Sequence, residues 1–177
     1  MKTAVIVIDV QNALFDLAPR PEEAEAVIAR INALTARARQ AGVPVAFIQH
    51  QSPNPPLQFD TAGWRFAHGL HIEPGEPVIA KTTPDSFLRT NLGQWLEQHE
   101  INQVVICGGM TEFCVDTTTR RAAALGYQAI LASDAHTTHD KPHAAAAFIR
   151  AHHNATLPDI GSFGPVISAF KSAAITF

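Results

Sequence analysis

The sequence predicts a doubly wound, Rossmann-like α/β fold, with a parallel sheet that carries helices on both faces. Short apolar runs of strand length alternate along the chain with segments whose apolar residues recur at helical spacing. Continuous apolar runs are typical of parallel strands that are buried on both sides. The 177 residues show no internal repeat, low-complexity tract or linker, so we expect a single domain over residues 1–177.

The first half of the chain is predicted to contain three strands and two helices. In chain order these are a strand at residues 3–9, a helix between Pro21 and Gly42, strands at residues 43–48 and 77–81, and a helix capped by Thr90. Proline suits the first turn of a helix and glycine its end, which sets the bounds of the first helix. Residues 50–76 are irregular and rich in proline and glycine, and a connection of that length is typical of a functional loop.

The second half continues the alternation. Its predicted elements are strands at residues 103–107, 127–132 and 166–169, a helix at residues 112–125 that Gly126 ends, and a helix at residues 142–152. The six strands together would form one sheet, and residues 154–164 give no clear pattern.

Composition excludes several classes of protein. The net charge is −3 and basic residues do not cluster, so we expect no nucleic-acid partner. No apolar run approaches the ~20 residues of a membrane span, and the first residues lack the features of a signal peptide. Two cysteines form no disulfide framework, which favours a reducing cytoplasmic location. Cys107 lies inside an apolar run and is expected to be inert core.

Three chemically complementary residues end or follow predicted strands. Asp9 ends the first strand, Lys81 ends the third, and Cys114 lies in the first turn of the helix after the fourth. Ligand sites of open α/β sheets form at the carboxyl ends of the strands. A helix N-terminus and a nearby lysine both favour a thiolate, and a partly desolvated aspartate is a usable base. Taken singly, Asp9 could equally cap the following turn, most lysines at strand ends are solvated, and most single cysteines are small buried hydrophobes. Taken together, the three residues offer a nucleophile, a cation and a base at one edge.

These residues and their surroundings resemble the isochorismatase-like cysteine hydrolases. The resemblance is carried by Asp9-Val-Gln-Asn, by Lys81 and by Gly-Gly-Met-Thr-Glu-Phe-Cys114-Val, and it extends over essentially the whole chain. It implies the strand order 3-2-1-4-5-6 and a catalytic triad of Asp9, Lys81 and Cys114. It also implies a cis peptide bond between Gly109 and Met110, and an oxyanion hole formed by the backbone N–H groups of Met110 and Cys114.

The resemblance also implies a function. The enzyme would cleave the C–N bond of a small-molecule amide, lactam or carbamoyl substrate through a thioester on Cys114. We expect no cofactor, no membrane partner, and a homo-oligomer, either a dimer or a tetramer. Residues of the motif and aromatic residues on loops beyond strand ends are the candidates for substrate contact: Gln11, Phe15, Trp64, Phe87 and Phe113.

Other functions are weighed against this one. Nicotinamidases of the family bind a metal through an Asp-x-His pair, and the corresponding stretch here is Gln49-His50-Gln51. His50, His68 and His71 could supply nitrogen ligands, but without the carboxylate we expect no metal. True isochorismatases cleave a vinyl ether and generally lack the cysteine, and a binding or redox protein could keep the fold without catalysis. For the histidines between residues 136 and 153 we favour a structural or interface role over the alternative of metal binding.

Overall fold

A computed structural model describes residues 1–177, and its centre is one sheet of six parallel strands. The strands are β1 (Thr3–Ile8), β2 (Val45–His50), β3 (Val78–Lys81), β4 (Gln103–Gly109), β5 (Gln128–Thr137) and β6 (Ile167–Phe170). Their order in the sheet is β3-β2-β1-β4-β5-β6, so the predicted doubly wound fold and strand order are confirmed. The order reverses between β1 and β4, where a ligand crevice is expected in such sheets.

Helices cover both faces of the sheet. They are α1 (Asn12–Phe15), α2 (Ala24–Gln40), α3 (Leu92–Gln98), α4 (Asp116–Ala124) and α5 (Ala146–Thr156), and a π-helical turn, Thr111–Val115, precedes α4. Alternate residues of β1 point to opposite faces: Val5 and Val7 pack with α2, whereas Ile6 and Ile8 pack with side chains of α3 and α4. No helix is long and apolar enough to cross a membrane.

The elements differ from the sequence prediction mainly at their ends. The last helix begins at Ala146 instead of Pro142, because Asp140 Oδ1 accepts a hydrogen bond from the Ala146 N–H at 2.8 Å and residues 141–144 form a turn. Strand β5 extends to Thr137, five residues beyond the predicted end, because it pairs again with β4 after a bulge. The helix predicted at residues 112–125 begins as the π-helical turn.

The register of the sheet brings the strand ends together. Ile8 lies opposite Gly108 in the β1–β4 pair, and His50 lies opposite Lys81 in the β2–β3 pair. Gly108 has a φ of +114°, and a Cβ atom there would lie 2.1 Å from the carbonyl oxygen of Ile8. Only glycine fits this position, and it allows β1 and β4 to stay close where the nucleophile turn begins.

Candidate active site

Asp9 lies directly after β1 with its side chain turned into the sheet edge. Its φ of +50° is a left-handed conformation, which aspartate adopts more readily than most residues. Its backbone N–H donates to the carbonyl of Ile48 at 3.0 Å, so the pairing of β1 and β2 fixes its position. The side chain is only 1% exposed, and Oδ1 has no hydrogen-bond partner. The carboxylate therefore retains free capacity to accept a proton or a hydrogen bond.

Lys81 is the centre of the buried cluster. Its Nζ lies 2.6 Å from Asp9 Oδ2, and the side chain is completely buried. The ammonium also donates to the carbonyl of Thr83 at 3.1 Å and lies 3.2 Å from Cys114 Sγ. Lysine is almost never fully buried unless it is paired, and the carboxylate of Asp9 supplies the compensating charge. The structure thus brings the three predicted triad residues together around one ammonium group.

Cys114 lies in the π-helical turn and is partly buried. Its sulfur, a carboxylate oxygen of Asp9 and a ring nitrogen of His50 all lie within 4.8 Å of one another. Burial, and next the negative charge of Asp9, raise the pKa of the Cys114 thiol to about 12, although Lys81 acts in the opposite direction. The resting cysteine is therefore a thiol, contrary to the expectation that the helix N-terminus and the lysine make it a thiolate. Its reaction as a nucleophile requires a base.

His50 joins this cluster, although the sequence reasoning considered it only as a metal ligand. Its Nδ1 lies 3.0 Å from Lys81 Nζ. Burial, and next the charge of Lys81, lower the pKa of His50, so the ring is neutral and Nδ1 accepts a hydrogen bond from the ammonium. Knowledge of the register between β2 and β3 would have predicted this contact, because His50 and Lys81 are paired residues in these adjacent strands.

The donor atoms of Asp9, His50 and Cys114 are close enough to share a metal ion. The ammonium of Lys81, however, lies 2.6, 3.0 and 3.2 Å from these same atoms. It already neutralises the site, and a second cation beside it would be repelled. The other two histidines considered as metal ligands do not join this cluster. The exposed His68 contacts the carboxylate of Asp16, and the exposed His71 contacts the carboxylate of Glu73.

The backbone before Cys114 forms a second feature of the site. The peptide bond between Gly109 and Met110 is cis, as the family resemblance implies. The carbonyl of Met110 accepts hydrogen bonds from the N–H groups of Phe113 at 3.1 Å and Val115 at 3.2 Å, whereas the Met110 N–H has no partner within the protein. A free N–H at the start of the turn that carries the nucleophile is suited to hold a negatively charged oxygen.

Two of the five predicted substrate contacts are structural residues instead. Gln11 is fully buried, and its amide donates to the carbonyls of His50 and Trp64 and accepts from the His50 N–H. Its role is to clamp the long loop onto the strand ends, which leaves little capacity for a substrate. Phe15 is also fully buried and belongs to the core beneath α2. The positions of both residues correct the prediction.

The other three aromatic residues have different surroundings. Phe87 stacks on Tyr127 at a centroid distance of 5.8 Å, and Tyr127 precedes β5 at the amino edge of the sheet, so Phe87 faces away from the site and its assignment is also corrected. Trp64 is partly buried and packs on the ring of Phe59 at 4.9 Å. Phe113, next to Cys114, is 50% exposed and retains a free ring face.

A cavity of about 530 Å³ opens beside Phe113, between the π-helical turn and α5. The sequence reasoning missed it because its walls come from segments far apart in the chain. Lys141 Nζ lies 3.1 Å from the carboxylate of Glu112 and 5.1 Å from the centre of the Phe113 ring. The remaining wall is formed by His143, Ala144, Phe148, Ile149, His152 and His153.

Comparisons with known proteins identify the family of the chain. The sequence model of the isochorismatase domain matches residues 3–168. A streptothricin hydrolase of Streptomyces noursei is 39% identical over 142 residues, which cover 78% of this chain and 51% of that relative. The chain thus spans about half the length of this curated relative.

Two further similarities cover more of the other protein. A ureidoacrylate amidohydrolase, RutB, of Pseudomonas syringae pv. syringae is 29% identical over 171 residues, which cover 76% of this chain and 70% of that relative. The crystal structure of an isochorismatase family protein matches with a TM-score of 0.86 and 31% identity, over 96% of this chain and 98% of the other. The chain therefore belongs to the isochorismatase family.

Proposed function

We propose that the protein is a hydrolase that cleaves the C–N bond of a small amide through a thioester on Cys114. The observation that carries the proposal is the contact of Lys81 Nζ with both Asp9, at 2.6 Å, and Cys114 Sγ, at 3.2 Å. A nucleophile, a base and a cation that contact one another in a buried cluster match the requirements of covalent acyl transfer. Vinyl-ether hydrolysis, the alternative, would give the cysteine no role.

Acylation begins with transfer of the Cys114 thiol proton to the carboxylate of Asp9. The thiolate attacks the carbonyl carbon of the amide, and the π electrons of that carbonyl move to its oxygen. The N–H groups of Met110 and Cys114 hold the resulting oxyanion. The tetrahedral intermediate collapses, the C–N bond breaks, and Asp9 returns its proton to the leaving amine. The product of this half-reaction is a thioester on Cys114.

Deacylation uses the same groups in the same order. Asp9 accepts a proton from water, and the hydroxide attacks the thioester carbonyl. The same N–H groups hold the second oxyanion, and its collapse expels the thiolate, which recovers the proton from Asp9. Lys81 keeps the carboxylate and the sulfur in contact throughout, and the neutral ring of His50 fixes the direction of its ammonium group.

The class of substrate is inferred from the site and from the relatives. An amide, lactam or carbamoyl compound offers the carbonyl and the leaving nitrogen that this mechanism requires. The name of one relative describes an amidohydrolase, which supports C–N cleavage. Phe113 and Trp64 are the remaining candidates for substrate contact, since Phe113 has an exposed ring and directly precedes the nucleophile in the chain, and Trp64 lies on the loop clamped to His50.

A screen of small amides, lactams and carbamoyl compounds with detection of released ammonia or amine tests the proposal. Turnover should be lost in Cys114→Ala and retained in Cys107→Ala, which removes the other, fully buried thiol. Mass spectrometry during turnover of a slow substrate should find an acyl adduct on Cys114. Undiminished turnover by Cys114→Ala would contradict the covalent mechanism, and loss of turnover on chelation that a metal restores would favour a metal-dependent reaction.

A further inference from the structure

A chain of polar side chains, two of them fully buried, connects the nucleophile turn to β5 and α5. Thr111 Oγ1 lies 2.8 Å from His136 Nδ1, and His136 Nε2 lies 2.9 Å from Asn154 Oδ1. The amide nitrogen of Asn154 donates to the carbonyl of Ser133 at 2.9 Å. Thr111 and His136 are both fully buried, and neither is a member of the triad. A buried histidine with two specific partners requires an explanation beyond packing.

The donor and the acceptor of each hydrogen bond in this chain can be deduced from the orientation of the Asn154 amide. Because its nitrogen donates to the Ser133 carbonyl, its oxygen faces His136 and must accept. His136 therefore carries its proton on Nε2, and burial lowers its pKa to about 4, which keeps the ring neutral. Nδ1 is then an acceptor, and the Thr111 hydroxyl must donate to it. The hydroxyl rotor of Thr111 has a single satisfied orientation.

The position of the chain links it to the reaction. Thr111 follows Met110 directly, is the first residue of the π-helical turn, and lies three residues before Cys114. His136 pairs with Gly108 in the sheet immediately after the bulge in β5. The rigid β4–β5 pair therefore holds one side of the turn through His136, whereas Lys81 contacts the other side through Cys114.

We propose that His136 is a positioning residue, which through the Thr111 hydroxyl fixes the Met110 N–H where it meets the developing oxyanion. The inference rests on the proposed function, because it assumes acyl transfer to Cys114. His136 does not touch the substrate or the reacting atoms. Its contribution is preorganisation, since a donor that is displaced by about 1 Å loses much of its effect on the transition state.

Two reagents separate this role from general stabilisation of the fold. p-Nitrophenyl acetate acylates the cysteine: the thiolate attacks the carbonyl, an oxyanion forms, p-nitrophenolate leaves, and an acetyl thioester remains on the sulfur. Iodoacetamide alkylates the same sulfur by displacing iodide from carbon, and no oxyanion forms. A residue that positions the oxyanion hole should change the first rate and leave the second unchanged.

The test compares isosteric variants at two buried threonines. Thr111→Val removes the hydroxyl that donates to His136, and Thr111→Ser keeps it. Thr119→Val is the matched control, because Thr119 is equally buried and its hydroxyl donates only to the Val115 carbonyl, at 2.7 Å. Acylation by p-nitrophenyl acetate should fall at least about tenfold in Thr111→Val, and by no more than the ~10²–10³-fold expected for complete loss of an oxyanion donor, because the donor is displaced and not removed. Alkylation should be unchanged, and Thr111→Ser should retain acylation.

Each outcome has a defined meaning. Equal acylation rates for Thr111→Val and Thr119→Val would overturn the positioning role, and so would a parallel loss of acylation and alkylation in Thr111→Val. His136→Gln should reproduce the selective loss of acylation, and unchanged acylation in this variant would also count against the role. Acetylation that persists in Cys114→Ala would instead contradict the proposed function, so the two failures are distinguishable.

Discussion

Replacing Lys81 with methionine should destabilise the fold far more than an ordinary lysine substitution would. The side chains of Lys81 and Asp9 are 0% and 1% exposed, and their charged atoms lie 2.6 Å apart. Methionine has a similar length and fills the same space, so packing is largely kept. The variant removes the cation and leaves the carboxylate of Asp9 buried without a compensating charge.

The expected magnitude follows from the distance and the burial. At 2.6 Å and an effective dielectric constant of about 20, the attraction is about 6 kcal/mol before desolvation is subtracted. Removing one partner of a buried pair typically costs about 3–5 kcal/mol, because the remaining charge stays desolvated. We expect Lys81→Met to lower the free energy of unfolding by an amount in this range. The double variant Asp9→Asn/Lys81→Met buries no charge and should recover most of the loss.

Urea denaturation of the wild type, both single variants and the double variant gives the coupling energy as a double-mutant cycle. Lys2→Met is the control, because Lys2 pairs with Glu100 on the surface and its loss should change stability little. An unfolding free energy for Lys81→Met that equals the control, or a double variant that is no more stable than Lys81→Met, would refute the assignment of Asp9 and Lys81 as a buried ion pair.

Three further predictions concern the same edge of the sheet. With a thiol pKa of about 12, the rate at which iodoacetamide alkylates Cys114 should show no titration step near pH 8.5, where an ordinary cysteine ionises; a step there would contradict the raised pKa. Gly108→Ala should fail to fold stably, because its Cβ would lie 2.1 Å from the Ile8 carbonyl oxygen, and a native circular dichroism spectrum with unchanged thermal midpoint would contradict this. Turnover of any substrate found in the screen should survive exhaustive chelation, because Lys81 Nζ lies within 3.2 Å of the sulfur where a metal would bind; loss that zinc reverses would overturn it.

Sequence reasoning succeeded where a residue's place follows from its position in a strand. Asp9, Lys81 and Cys114 end or follow strands, and parallel strands bring their carboxyl ends to one edge, so the three could be placed together from the sequence alone. The contact between His50 and Lys81 depends on the register of β2 and β3. The pattern of apolar residues does not define that register, because β2 is buried on both faces and β3 is only four residues long.

The orientation of aromatic side chains on loops, in contrast, could not be predicted from the sequence. Phe15 and Phe87 lie after strand ends, as a substrate wall requires, but a loop can turn its ring inward or outward, and sequence alone does not decide between them. In the folded protein Phe15 fills the core, and Phe87 packs towards Tyr127 at the other end of the sheet. Apolar rings are buried by default, because burial of a phenylalanine contributes about 1.5–3 kcal/mol.

The high pKa of Cys114 and its proposed role as a nucleophile are compatible once the net charge of the cluster is considered. In the resting site Asp9 carries −1, Lys81 carries +1, and the thiol is neutral, so the buried charge sums to zero. Loss of the thiol proton to solvent would leave a net negative charge in a desolvated site, which is the process that the pKa of about 12 describes. Transfer of that proton to Asp9 moves the negative charge to the sulfur and leaves the sum unchanged, while Lys81 stays in contact with both atoms. The thiolate therefore forms most readily when Asp9 takes the proton, which couples nucleophile activation to the same carboxyl group that then protonates the leaving amine.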